Sequence, residues 1–597
     1  MIGRRVRALP GLVAGAPPFV LVSVGLVLAL LGANLLTRPL STLVALGYYV
    51  GASCMLSGLG DLLGRREGHR DRAALVQGLV WFVAGLAIVV WIGRSIELLG
   101  PFVAALLIAS GGTSLVALLW HRSSPGLLRA LFGASEIAWG VMALWWPDVT
   151  LLVIAVLFGA RTTAFGVALV WRGARGDRPV WHRAERWLQG LRWGSAVLVL
   201  LVAGSGLYVS HLFRAGVPVL DDFYASPASV PAEPGRLVRS EPYNGDLPAG
   251  LKGYRMLYTT TATDGSPALA TGVLAVPERT GAEPAPLVAW AHGTVGVARA
   301  CAPSLGRDAI STKGMPAMGA FAQRGWAMVA TDYTGMGAEG EFPYLIGAGE
   351  AYSVLDSVRA ARQVPGVQLA DQTVVWGHSQ GGHAALWAGQ LAAPYAPDVK
   401  VLGTAALSPA ADPVGLAEAV TAHPGVPGAS LGVAFVVDAY TRTYNLPLDA
   451  VVAPSAQTIV REAASRCTGQ AGTLFTILGG LAIAHDQPIL RVPPESGQLA
   501  DRLAENVPHG PWSAPLFIAQ GTADEVIPLR LTKAWVPKAC ASGATLKFST
   551  YEAGTHMSVL DLDAPLSDEL EQWTADRFAG VPAPAGCSTP VGPSAGP

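Results

Sequence analysis

Charged residues are scarce. Asp, Glu, Lys and Arg make up 14% of the 597 residues while 51% are hydrophobic, against roughly 25% charged in an ordinary soluble domain. The formal net charge of −1 leaves no electrostatic footprint for nucleic acid. Cysteine is scarce too, at five residues, and no Cys/His spacing suits a metal. A phosphate-cradling Walker loop and a Gly-x-Gly-x-x-Gly dinucleotide fingerprint are both lacking, so no metal and no organic cofactor is implied. What the chain has in abundance is apolar surface, with a mean hydropathy of +0.40. Part of it is expected to dissolve in lipid.

The apolar residues gather toward the amino terminus. A hydrocarbon core about 30 Å thick needs about 20 apolar residues in a helix. Runs of that kind occupy 18–37, 40–62, 73–93, 100–120, 127–146, 149–171 and 193–213, so about seven membrane-spanning helices are expected in a domain covering 1–215. Arginine is distributed unevenly around them. Fifteen arginines lie at the amino terminus or after spans two, four and six, including Arg5, Arg65, Arg122 and Arg183; only Arg38, Arg94 and Arg214 lie at the opposite ends. Arginine-rich loops stay in the cytoplasm. The amino terminus is therefore expected inside a cell membrane, and everything beyond span seven outside it.

The first six spans repeat. Pro39, Gly93 and Pro147 are 54 residues apart in short outer turns, and Gly58, Gly112 and Gly166 keep the same spacing. Thr42 and Thr150 follow Pro39 and Pro147 at one offset. Three helical hairpins of about 54 residues would explain the pattern. It resembles the small HdeD-like membrane proteins over about 1–175, a likeness that implies a multi-span bundle and no catalytic residues. Glu136 and Arg161 lie at similar depths on either side of Pro147, and a charge at mid-bilayer is costly unless paired. An intramembrane ion pair between them is expected.

Six prolines among small and polar residues mark 216–248 as a connector that lifts the following domain off the bilayer. From 249 to 597 strand-like and helical runs alternate. Apolar strand patterns cover 269–276, 286–291, 326–331, 373–377, 399–406, 515–520 and 546–551, with helical patterns at 349–361 and 382–391. This alternation predicts a mainly parallel sheet covered by helices on both faces.

Gly377-His378-Ser379-Gln380-Gly381 follows one of those strands and opens a helix. Glycines two before and two after a serine permit the strained turn that presents its hydroxyl as a nucleophile. A hydroxyl attacks only when a base takes its proton and a carboxylate orients that base. Asp524, in the turn after strand 515–520, is the expected acid; Asp412 is its rival and Glu525 a solvated neighbour. His556, after the last strand, is the expected base. His485 and His509 precede the acid, and His378 and His383 beside the serine are assigned to packing or hydrogen bonding to the chain. The oxyanion needs two backbone N–H donors. Gln380 supplies one at a helix amino terminus, and Thr294 the other from the loop His292-Gly293-Thr294 after strand 286–291.

These motifs resemble the secretory lipase (LIP) family over roughly 235–580. The likeness rests on His292-Gly293-Thr294 with Cys301-Ala302-Pro303-Ser304 behind it, on Thr331-Asp332-Tyr333-Thr334-Gly335-Met336-Gly337, on Gly377-His378-Ser379-Gln380-Gly381-Gly382, and on the late Asp524 and Gly554-Thr555-His556. It implies an α/β-hydrolase fold with a helical cap, a carboxylic ester hydrolase activity of the triacylglycerol lipase type, and a lipid or other ester substrate. The cap is expected at about 413–511. Four cysteines beyond the bundle allow three pairings. With Cys467 in the cap, a Cys301–Cys467 bridge would anchor it to the core and Cys540–Cys587 would tie down the tail. Acyl transfer or peptide hydrolysis on the same residues, and a membrane sensor whose hydrolase domain only binds, are the alternatives.

Overall fold

The computed structural model describes residues 17–63, 72–120, 124–175, 185–214, 219–278, 283–310, 315–423, 429–484, 486 and 488–588. Among the described residues seven helices come first: α1 (Pro18–Leu36), α2 (Pro39–Leu63), α3 (Arg72–Val90), α4 (Ile92–Trp120), α5 (Ser124–Trp145), α6 (Pro147–Arg175) and α7 (Glu185–Arg214). Six are long and apolar enough to cross a membrane; the described apolar stretch of α3, Gly78–Val90, is shorter.

The repeat is real but its helices pair differently from the hairpins expected. The tightly packed pairs are α2 with α3, α4 with α5, and α1 with α6. Each pair joins neighbouring repeats, and the last closes the first onto the third. Small residues cause this. Gly51 and Gly58 face Gly85 and Gly78, Gly25 and Gly32 face Gly166 and Gly159, and Gly133 and Gly140 face Gly111 and Ala104. A Cβ at Gly58 would lie 2.5 Å from the Gly78 carbonyl oxygen, one at Gly25 2.7 Å from that of Gly166, and one at Gly133 2.9 Å from that of Gly111. Close backbone approach of this kind holds helices together where lipid removes the hydrophobic drive.

This pairing overturns the Glu136–Arg161 ion pair. α5 packs on α4 and α7, while α6 packs on α1. Arg161 is exposed on the bundle, and one buried Glu136 carboxylate oxygen has no partner. Similar depth did not bring the two side chains onto facing surfaces.

Beyond the bundle a ten-stranded sheet has the order β1-β2-β3-β5-β4-β6-β7-β8-β9-β10. β1 (Leu237–Tyr243), β2 (Leu251–Thr261) and β3 (Pro267–Pro277) are antiparallel, and β3 is antiparallel to β5 (Ala327–Thr334). From β5 onward the strands are parallel through β4 (Ala285–Ala291), β6 (Leu369–His378), β7 (Lys400–Leu407), β8 (Leu516–Gly521), β9 (Leu546–Tyr551) and β10 (Cys587–Ser588). The central strands are buried on both faces, which is why β4 reads as an unbroken apolar run. α8 (Gly347–Ala361) and α9 (Gln380–Tyr395) flank the centre. Between β7 and β8 comes the cap, with α10 (Pro413–Ala422), α11 (Ala429–Thr443), α12 (Gln457–Ala464), α13 (Thr473–Ile483) and α14 (Gly497–Glu505). α15 (Leu529–Ala541) follows β8, and α16 (Pro565–Phe578) follows β9. Cys301–Cys467 joins the core to the cap with Cα atoms 5.2 Å apart, and Cys540–Cys587 fastens β10 with Cα atoms 6.1 Å apart.

The proline-rich stretch is packed, not extended. Tyr224 is fully buried and its hydroxyl hydrogen-bonds Ser304 Oγ at 2.9 Å. Arg239 donates to the Asp222 and Phe223 carbonyls at 2.9 and 3.1 Å, and β1 falls inside the stretch. Two adjacent aromatics outweighed the prolines. Nor does the stretch hold the domains apart, because the cap rests on the bundle end where the repeats turn. The Asp486 carboxylate accepts from Leu40 N at 2.5 Å and Ser41 N at 3.1 Å. Gly93 meets Pro454, and Arg461 pairs with Glu97. Arg466 forms a buried bidentate pair with Asp148 at 2.7 and 2.8 Å. All three outer turns take part.

Candidate active site

β6 delivers Ser379 and α9 carries the chain away. Between them Ser379 has φ 59° and ψ −119°, a conformation that costs a non-glycine residue about 1–3 kcal/mol and clusters at functional sites. Crowding explains the flanking glycines: a Cβ at Gly377 would strike the Gly381 carbonyl, and one at Gly381 would strike that of Ala291. The Ser379 main chain is held by donation from its N–H to the Leu407 carbonyl at 2.9 Å.

Asp524 and His556 meet across the turns after β8 and β9. The His556 Nδ1–H faces both Asp524 carboxylate oxygens at 3.0 Å. Burial opposes the charge on Asp524, but the His556 contact and the Ile527 amide outweigh it and hold the carboxyl below its ordinary range. Val526 N at 3.0 Å and Ile527 N at 2.8 Å also donate to it. With Nδ1 engaged, Nε2 is left as the basic nitrogen. Ser379 and His556 line one cavity of about 680 Å³ with His292, Thr294 and Met557. No hydrogen bond links Ser379 Oγ to the imidazole, and such contacts are often loose in unliganded sites. The other candidates lie elsewhere. Asp412 caps α10 through Gly415 N at 3.0 Å, His509 is exposed, and His485 is outside the described residues.

The loop after β4 passes beside the serine. A Cβ at Gly293 would sit 3.2 Å from the His378 carbonyl oxygen and 3.5 Å from Ser379 Cβ. Thr294 is braced from two sides. Its hydroxyl hydrogen-bonds Tyr344 OH at 2.8 Å, and Thr468 in the cap donates from its N–H to the Val295 carbonyl at 2.9 Å. His292 and His378 are neutral, burial pulling the first down to about 4 and the second, which also lies beside His556, to about 3. His378 Nε2 bonds the His556 carbonyl at 3.1 Å and steadies the loop that carries that residue.

Sequence reasoning missed Glu350. It is fully buried behind the elbow, and its carboxylate accepts from Leu345 N at 3.0 Å and Gln380 Nε2 at 2.8 Å and contacts His383 Nδ1 at 3.0 Å. His383 Nε2 donates to the Asn506 carbonyl at 2.7 Å. The signal was an acid within Gly347-Ala348-Gly349-Glu350-Ala351, among residues too small to shield a charge from a partner. Glu350→Ala is expected to leave Gln380 and His383 without their acceptor, at a cost of about 2–4 kcal/mol. A thermal melt together with kcat checks this: both should fall, and Glu350→Gln should recover part of the loss.

Asp332 has a similar role farther out. It accepts from Ser304 N at 2.9 Å and Thr271 Oγ1 at 2.6 Å, and burial pushes its carboxyl up to about 6. It thereby stitches the Cys301–Ser304 segment to β5.

Residues 314–586 match the model of the secretory lipase (LIP) family. This part of the chain is similar to the secretory lipases. Residues 23–89, 76–142 and 131–207 each match a short repeat of unknown function, DUF308, in agreement with the HdeD-like bundle. A probable inactive lipase of Mycobacterium tuberculosis is 29% identical over 62% of this chain and 84% of its own length. A trichothecene C-3 esterase of Fusarium sporotrichioides is 26% identical over 61% and 84%. The crystal structure of Candida antarctica lipase A in its closed state has a TM-score of 0.50 at 19% identity, covering 63% of this chain and 89% of that one. That likeness establishes the fold of the lipase domain. At family level the likeness supports a carboxylic ester hydrolase.

Proposed function

We propose that the chain is a membrane-anchored serine ester hydrolase working through an acyl-enzyme. The reading rests above all on one observation: His556, held by Asp524 behind it, and Ser379 line a single cavity. His556 Nε2 takes the Ser379 proton as Oγ attacks the ester carbonyl, and Asp524 stabilises the imidazolium. The amides of Gln380 and Thr294 receive the oxyanion. His556 then protonates the departing alcohol, and a water activated by the same imidazole hydrolyses the acyl-serine. In the sequence the arginine-rich segments adjoin the helix ends opposite those that meet the cap, which favours a cytoplasmic amino terminus and an extracytoplasmic lipase domain.

The M. tuberculosis relative bears the description inactive, so binding without turnover is the competing reading; acyl transfer to another alcohol or peptide hydrolysis would use the same residues. Two measurements separate them. A fluorophosphonate should label the full chain stoichiometrically, with the tag on the Ser379 peptide. Nitrophenyl esters of graded acyl length should be hydrolysed, and their profile would give the preferred chain. Labelling without hydrolysis of any ester would favour transfer or peptide hydrolysis; failure of both would leave a binding domain.

A further inference from the structure

Helix α13 has a face that neither the cap nor the bundle covers. Thr473, Thr476, Gly479, Gly480 and Ile483 are buried, whereas Leu474, Leu478 and Leu481 are 49%, 51% and 37% exposed. The three leucines follow an i, i+4, i+7 spacing and form one stripe. Two observations give the depth of this helix. The Phe475 ring packs against Trp146 and Phe213, with centroids 4.9 and 5.0 Å away, at the ends of α5 and α7. Gly479 packs against Leu152, which lies about 7.5 Å inside the start of α6 at 1.5 Å per residue. At its other end, Asp486 caps α2 through Leu40 and Ser41. The helix therefore lies across the bundle end, below the tips of the spanning helices. Leu144, Tyr208 and Leu212, close in sequence to Trp146 and Phe213, are exposed and apolar, so the helices that Phe475 packs on carry a surface suited to lipid.

We propose that α13 lies in the outer leaflet of the membrane the bundle crosses, and that Ser379 takes bilayer-resident acyl esters from that leaflet. The second half rests on the serine hydrolase reading. Residues 467–470 run directly into α13 and line the Ser379 cavity, so the wall of the site and the lipid-facing helix form one stretch of chain. An apolar helical face at this depth settles into the boundary between headgroups and acyl chains.

The experiment uses the full chain in phosphatidylcholine vesicles. An environment-sensitive fluorophore is placed by Leu478→Cys in a Cys54→Ser background, with Gln572→Cys on α16 as the aqueous control. Blue-shifted emission at 478, quenched by lipids brominated on their acyl chains, is expected; aqueous, unquenched emission like that of the control would overturn the docking. Independently, the combined substitutions Leu474→Ser, Leu478→Ser and Leu481→Ser should lower hydrolysis of a vesicle-borne diacylglycerol about tenfold while leaving a water-soluble butyrate ester within about twofold. Equal loss on both esters, or no loss on either, would overturn the substrate assignment. A parent protein that cleaves neither ester would instead sink the hydrolase reading, and the quenching would still decide the position of α13.

Discussion

Replacing Ser379 by Ala is expected to lower ester hydrolysis by about 10⁴–10⁶-fold without changing the thermal midpoint by more than a degree or two. The size of the effect follows from the role. Without Oγ no acyl-enzyme forms, and the Asp524–His556 pair has nothing to activate except water, held at the wrong distance from the carbonyl. The small effect on stability has a separate cause. The strain at Ser379, with φ 59°, is carried by the backbone and remains with alanine, and no hydrogen bond from the hydroxyl contributes to the fold. Asp524→Asn should cost about 10⁴-fold, because an amide cannot hold the imidazole with Nε2 as the basic nitrogen. Steady-state kinetics on a soluble aryl ester and a thermal melt of each variant in detergent check both statements. Activity surviving in Ser379→Ala would assign the chemistry to another nucleophile.

The residues of this site were unusually legible in the sequence because each belongs to a local pattern. The elbow needs glycines at fixed offsets from Ser379, and the acid and base each follow a strand that reads as apolar. Chain order then assigns the roles. Glu350 escaped because its partners, Gln380 and His383, are about 30 residues away and nothing local marks a buried acceptor. Strands β1 and β2 escaped for a different reason: they form the antiparallel edge, where polar and apolar residues mix. In the bundle the 54-residue period was visible, yet the pairing of helices was not. A period shows which helices are alike, whereas partner choice depends on which face carries Gly25, Gly58 or Gly133. The same limit applied to Glu136 and Arg161, for which depth was readable and azimuth was not. Docking of the cap on the bundle was hidden altogether, since Asp148 and Arg466 are 318 residues apart.

That pair carries the largest expected effect on stability. Asp148→Ala should destabilise the seating of the cap by about 3 kcal/mol, because removing the bidentate partner of a buried ion pair leaves Arg466 with only the longer Glu462 contact. Arg466 would keep Thr476 Oγ1 at 2.7 Å and the Trp146 ring at 5.0 Å, neither of which neutralises a guanidinium, and Glu462 Oε2 at 3.4 Å, a longer and more exposed contact that offsets only part of the charge. Pairing Asp148→Leu with Arg466→Met should restore most of the loss, since an apolar replacement of a buried pair is often neutral or stabilising. Thermal melts of the single and double variants measure the contrast, and a single variant as stable as the parent would show that the pair is solvated. The effect should also reach the chemistry. A Cβ at Gly296 would lie 3.0 Å from the Arg466 carbonyl oxygen, and Thr468 bonds the Val295 carbonyl, so the segment that Asp148 fixes is the one against which the oxyanion loop is braced. Loosening it should lower kcat about tenfold and leave KM for a short soluble ester nearly unchanged, because the amide of Thr294 matters most when charge develops on the oxygen. A rise in KM at constant kcat would instead place the effect in substrate access, and would separate the bundle's hold on the cap from the geometry around Ser379.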